Sequence, residues 1–208
     1  MKYLISFLFL VLSFSMKSEA KVTLPSILGD NMVLQQQTEV ELWGKARPNA
    51  VVTVKTSWNN RVYKSSSDGK GNWSLKVSTP VAGGPYKITF NDGELLTLQN
   101  ILIGEVWFCS GQSNMEMPMG GFDRQPVRGT NDLIAKAKPS TPIRMYTTDS
   151  KDGRWVRQFS KTPQEDCQGE WLENTPVNVS HISAVSYYFA CYIQEVLEVP
   201  VGIVVSTW

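Results

Sequence analysis

Where a run of apolar, strand-forming residues ends, the chain reads Ser110-Gly111-Gln112-Ser113-Asn114, which puts two hydroxyls, two amides and a glycine within five positions. A serine hydroxyl attacks an acyl carbon only when a base removes its proton, and the attack creates an oxyanion that needs donors already aimed at it. Ser113 is the candidate nucleophile of acyl transfer, and its own backbone N–H is a candidate oxyanion donor. Gly111 lets the backbone turn with no Cβ in the way. Gln112 and Asn114 either shape the turn or touch a substrate hydroxyl. The same residue types build any strand-to-helix turn, so the tetrad alone leaves both readings open.

Other chemistry-bearing residues are sparse. Glu116 reads as an exposed loop carboxylate rather than a general acid. His181 is the single histidine, set in V-S-H-I-S-A at the start of a helical pattern, where a surface or capping role is ordinary. Cys109, Cys167 and Cys191 are an odd number, so one pair at most closes within the chain; Cys167 with Cys191 is one such pairing. With no CxxC or CxxH spacing, a zinc site is not expected, nor is any other metal or organic cofactor. Trp155 and Trp171 read as packing residues or as sugar-stacking platforms, and Arg124, Arg128 and Arg144 as solvated cations or as a clamp for a substrate carboxylate. The sequons at Asn72 and Asn178 bear on glycosylation alone.

The elements that must position Ser113 come from a globular chain of 208 residues, 42% hydrophobic and 19% charged. Lys plus Arg number 20 against 19 Asp plus Glu, and the basic residues are scattered, so neither nucleic acid nor an anionic membrane is an expected partner. Residues 1–20 combine Lys2, an apolar run and a small-x-Ala ending, the pattern of a cleaved signal peptide. The apolar run is short against the roughly 20 residues of a spanning helix. The mature chain is therefore expected to start near Lys21, to be secreted or periplasmic, and to have no membrane span.

From 21 to 100, short alternating segments separated by Gly, Asn, Asp and Pro predict six or seven strands of an antiparallel β-sandwich, Ig-like or jelly-roll in kind. From 101 to 208 the texture changes. A strand over residues 101–108, a short helix starting at Asn131 or Asp132, a strand over 143–146, a long helix from Ser183 and a strand over 201–206 follow the order of a parallel α/β sheet with helices on both faces. In the long helix, Val185, Tyr188, Phe189, Tyr192, Ile193, Val196 and Leu197 recur at helical spacing and predict the core-facing side. Three parallel strands leave an open edge, so this second domain is expected to be incomplete.

In such sheets ligands bind beyond the carboxyl ends of the strands, and Ser113 sits there. The run G-E-V-W-F-C-S-G-Q-S-N-M-E-M-P-M, from Gly104 to Met119, resembles the nucleophile block of the sialate O-acetylesterase family, a branch of the SGNH (GDSL-like) hydrolases. The opening L-P-S-I-L-G-D-N-M-V-L-Q-Q, the N-D-L-I-A-K-A helix, the I-R-M-Y strand, the S-A-V-S-Y-Y-F-A helix and the V-P-V-G-I-V-V-S-T-W strand follow in that family's order. The resemblance implies a flavodoxin-like second domain in which Ser113, with its N–H in the oxyanion hole, cleaves acetyl esters on sugars without a cofactor. It implies a substrate that is an O-acetylated sialic acid or, by the same chemistry, an acetylated polysaccharide such as xylan. The family's other site residues, a glycine, an asparagine and an Asp-x-x-His, match no positions here. They are expected past Trp208, which would leave the fragment inactive by itself. The remaining alternative is a sugar-binding protein whose working module is the sandwich.

Overall fold

A computed structural model describes residues 21–151, 154–155 and 162–207, with the backbone alone at 151, 154 and 155. The expected signal peptide, Trp208 and the side chain of Trp155 thus lie outside the described residues. The chain runs through β1 (Val33–Gln35), β2 (Glu39–Lys45), β3 (Val51–Thr56), β4 (Val62–Ser66), β5 (Asn72–Ser78), β6 (Gly83–Asn91) and β7 (Leu95–Gly111). It continues with α1 (Ser113–Glu116), α2 (Thr130–Lys136), β8 (Ile143–Thr147), the small hairpin β9 (Ser150–Lys151) and β10 (Arg154–Trp155), then β11 (Trp171–Glu173), α3 (Pro176–His181), α4 (Ala184–Leu197) and β12 (Val201–Thr207).

The period of two in the early segments does what alternation requires. Val52, Val54 and Thr56 of β3 point inward, as do Ile88 and Phe90 of β6, and Leu42, Trp73 and Val77 of the β2–β5 pair meet them in one core. Trp73 and Phe90 lie 5.8 Å apart, joining the two-stranded β2–β5 layer to the larger sheet.

That larger sheet is mixed, in the order β11-β8-β12-β7-β6-β3-β4, with β1 also beside β7. β7 is its spine. Its first half pairs antiparallel with β6 as far as Ile103, and residues 105–111 pair parallel with β12. The expected boundary near residue 100 falls inside this strand, at Asn100, whose φ of 55° is one that asparagine tolerates. The strand expected over residues 101–108 is longer at both ends, because L-L-T-L-Q adds a ladder to β6 and Cys109-Ser110-Gly111 adds one to β12. Gly104 marks the crossing, where a Cβ would stand 2.0 Å from the Pro200 carbonyl oxygen.

The parallel trio β8, β12 and β7 has the expected direction, but among the described residues helices cover one face only. Ile143, Met145, Val201, Ile203 and Val205 face α3 and α4, whereas Tyr146 and Val204 on the other face join the core built from the N-terminal segment and Trp171. Besides the single turn α1 and the β9–β10 hairpin, β11 and α3 were not expected. Antiparallel β11 caps the β8 edge, and α3 starts from a Thr175 cap and Pro176, a signal the sequence did carry. α2 begins at Thr130 after Gly129, not at Asn131 or Asp132, because Gly129 takes the left-handed N-cap conformation and Thr130 bonds back to Val127.

α4 turns most of its expected side outward, although Phe189 and Ile193 are half-buried and Ile193 packs on the core as expected. Ala184, Ser186, Tyr187 and Ala190 are buried, while Val185, Tyr188, Tyr192, Val196 and Leu197 are exposed. The small Ala184 and Ala190 let the helix approach β12 closely, and the Tyr187 hydroxyl donates to the Asn174 side chain at 2.8 Å, so the bulky stripe turns outward. The three cysteines are unpaired thiols: Cys167 packs on one core and Cys191 on the other, which excludes their pairing.

Candidate active site

Ser113 is exposed, the first residue of the single turn α1 and two positions beyond the end of β7. Gln112 precedes that turn, and its carbonyl accepts the amides of Met115 at 2.8 Å and Glu116 at 3.0 Å. The amides of Ser113 and Asn114, at the start of the turn, have no acceptor within it by geometry. Gly111 pairs with Thr207 at the tips of β7 and β12. Its backbone is not left-handed; what favours glycine is that a Cβ would stand 3.0 Å from the Met115 Cβ, closer than ordinary contact. The group a Cβ at Gly111 would meet is Met115, folding back over the strand.

The methionine and proline residues after the tetrad fasten it. Met115 Sδ accepts hydrogen bonds from the hydroxyls of Ser186 at 3.2 Å and Ser183 at 3.5 Å. Met119 and Gly120 donate to the carbonyls of Ile182 and Ser180, each at 2.8 Å, and Ala184 donates to Met117 at 2.8 Å. Residues 115–120 are thus laced onto the start of α4, where Ser183 caps the helix by accepting from Ser186. This scaffold was missed in the sequence, although M-E-M-P-M and S-H-I-S-A were the segments that carried it.

The structure sorts the remaining candidates. Gln112 and Asn114 are exposed beside Ser113, and Glu116 is half-buried at the end of α1, not an exposed loop carboxylate. His181 is exposed at the end of α3, and among the described residues no hydrogen bond joins it to Ser113. Arg124 and Arg128 are exposed in the loop after α1. Arg144 is neither solvated nor a clamp. It is 4% exposed and pairs with Glu173 at 3.2 Å, and its strand neighbour Gly202 pairs with Val106, five residues short of Gly111, or roughly 16 Å back along the sheet. Burial pulls its guanidinium below the ordinary arginine range, and Glu173 opposes this. Trp171 is a packing residue: its indole N–H donates to the Ile27 carbonyl at 2.7 Å and its ring stands 5.5 Å from Tyr146.

Next to the turn opens a cavity of about 280 Å³ walled by Trp107, Phe108, Cys109, Ser110, Met115 and Phe189. Ser113 borders this apolar space without lining it. Burial pushes the Cys109 thiol up, with a smaller opposite effect from Ser186, so Cys109 is an apolar wall and not a second nucleophile. Larger cavities lie elsewhere, around Trp73. Among the described residues no cluster of His, Cys, Asp or Glu is placed to hold a metal, and no helix is long and apolar enough to cross a membrane.

No protein-family model matches the chain. The sialate O-acetylesterases of Homo sapiens and Mus musculus are each 26% identical to it over 198 residues, 88% of this chain and 36% and 35% of theirs. A solved carbohydrate acetylesterase from Xanthomonas citri superimposes with a TM-score of 0.79 at 32% identity, covering 90% of this chain and 40% of that one. The mixed sheet carrying Ser113 is therefore similar to a carbohydrate acetylesterase fold. The chain is similar in sequence to sialate O-acetylesterases, and spans about a third of the length of the curated relatives it matches.

Proposed function

We propose that this chain carries the nucleophile of a secreted carbohydrate O-acetylesterase, with Ser113 as the attacking residue and residues 1–20 as its signal peptide. The observation that supports this most is the place of Ser113: exposed at the carboxyl end of a parallel strand, on a turn clamped to α4 by Met115. In the reaction the Ser113 Oγ attacks the acetyl carbonyl carbon and its proton passes to an imidazole. The tetrahedral oxyanion is held by the Ser113 N–H, and its collapse breaks the ester bond and releases the sugar oxygen, which takes the proton. Water then attacks acetyl-Ser113 and frees acetate. Among the described residues no hydrogen bond joins His181, the single histidine, to Ser113, so the base in this proposal is a histidine of the longer protein, and the chain by itself is expected to turn over little or no ester.

The relatives' names point to acetylated sialic acid or another acetylated sugar. Arg128 and Arg124, the latter in a loose exposed pair with Asp123 at 3.8 Å, are the cations we assign to a sialic acid carboxylate, since Arg144 is buried against Glu173. The test is hydrolysis of 9-O-acetyl-sialic acid, acetylated xylan and p-nitrophenyl acetate by the full-length protein and its Ser113→Ala form. Loss of turnover by roughly 10⁴-fold or more is expected in the variant on every substrate. Retained turnover removes Ser113 from the reaction, and the ratio of rates on the two glycans decides between them.

A further inference from the structure

We propose that the concave space between β2, β5 and the segment at Glu165 and Asp166 binds a neutral pyranose of a glycan chain, at a second sugar site separate from Ser113. The cavity measures about 380 Å³, within the roughly 300–1,000 Å³ usual for small-molecule sites. Its walls come from the N-terminal segment at Thr23, from facing positions of β2 and β5, and from a loop more than ninety residues further on, so the fold assembles it from distant parts of the chain. None of its residues belongs to the Ser113 turn.

Two tryptophans give it its chemistry. Trp43 leaves 42% of its surface in water at the wall of the cavity, on a strand whose neighbouring Leu42 is fully buried. An indole face held in water beside a hollow is what the C–H face of a pyranose stacks on. Trp73 is 3% exposed and lines the same cavity, and its indole Nε1 is buried with no hydrogen-bond partner among the described residues. Such an unmade donor is costly and rare, and marks this wall of the cavity as one with polar capacity left over.

The polar groups fix the ligand class. Lys45 Nζ donates to Glu165 Oε2 at 2.8 Å, placing an ammonium and a carboxylate side by side, as neighbouring sugar hydroxyls require. Asp166 Oδ1 accepts from the Ser26 amide at 3.0 Å and the Ser26 hydroxyl at 2.7 Å, which pins this segment against the N-terminal one. One cation against two carboxylates leaves the lining with no positive excess, which disfavours an anionic sugar. Asn72 and Trp73 also wall an adjoining cavity of about 400 Å³ bounded by Ser65, Ser66 and Ser67. A chain of several sugars therefore has a path past Asn72, whereas a lone monosaccharide would use half of it.

The experiment titrates full-length protein, and its Ser113→Ala form, with xylotetraose, N-acetyllactosamine and N-acetylneuraminic acid, followed by tryptophan fluorescence and calorimetry. Saturable binding of a neutral oligosaccharide is expected in both proteins. Trp43→Ala should weaken it roughly tenfold, Trp43→Phe should restore part of it, and the circular dichroism should stay unchanged because Trp43 is at the surface. Binding that Trp43→Ala leaves intact, binding that vanishes with Ser113→Ala, or no saturable binding of either neutral probe at millimolar concentration overturns the proposal. None of these outcomes touches the loss of turnover expected on removing Ser113, so the two readings fail separately.

Discussion

At the scale of single residues, Ser113 depends on two neighbours that do no chemistry. Gly111 leaves the space into which Met115 folds, and Met115 hangs the turn from two serines of α4. Gly111→Ala forces a methyl group against Met115 and is expected to cost about 1–3 kcal/mol of stability. In the full-length protein it should also lower kcat more than it raises KM, because the hydroxyl is displaced; thermal unfolding and steady-state kinetics check both. Cys109 gives a pH test. Its raised folded value means that stability tied to the neutral thiol is present below the ordinary thiol range and is lost as pH climbs through the raised one. A thiol reagent at pH 8 should accordingly modify Cys109 more slowly than the same cysteine in the unfolded chain, by roughly tenfold. That the tetrad follows the end of an apolar strand was legible in the sequence, because the strand-forming run stops at Ser110 and Gly111. Its tether was not, because a thioether accepting hydrogen bonds from residues some seventy positions away leaves no local pattern.

Among the elements, β8 and β11 are held together by a pair that the sequence could not reveal. Arg144 looked like any surface cation until antiparallel β11 brought Glu173 opposite it. Arg144→Ala removes the cation from a nearly dry site and leaves Glu173 half-buried, for an expected loss of about 3 kcal/mol with no specific effect on KM. Glu173→Gln, which keeps a hydrogen-bond acceptor, should cost less; chemical denaturation of the two variants ranks them. Strand positions were readable because alternation survives in β2, β3, β5 and β6 whatever they pack against. The facing of α4 was not readable. Periodicity finds an apolar stripe, but the side that docks is the one with Ala184 and Ala190, where small residues permit close approach.

For the whole molecule, one strand carries both halves of the architecture, and its two sides have different surroundings. Beyond Gly104 the only strand beside β7 among the described residues is β12, and Trp107 and Phe108 are exposed. Trp107 packs edge-on against Phe189 at 5.0 Å, which runs this surface into the outward stripe of α4. A contiguous apolar surface of that kind predicts that the 208-residue chain alone binds a hydrophobic dye and self-associates. Phe108→Lys with Tyr192→Lys should reduce both without lowering the melting temperature, as read by dye fluorescence and sedimentation. That residue 100 sits inside one continuous strand, with Asn100 at a left-handed φ of 55°, is something alternation does not show.

The central claim is that the Ser113 oxygen takes the acetyl group. It is tested most directly by quenching full-length protein in acid during turnover of p-nitrophenyl acetate and locating the adduct by peptide mass spectrometry. The account predicts a single acetyl group on Ser113, absent from the Ser113→Ala protein. Turnover with no acetyl on Ser113, or with the acetyl on another side chain, would contradict it.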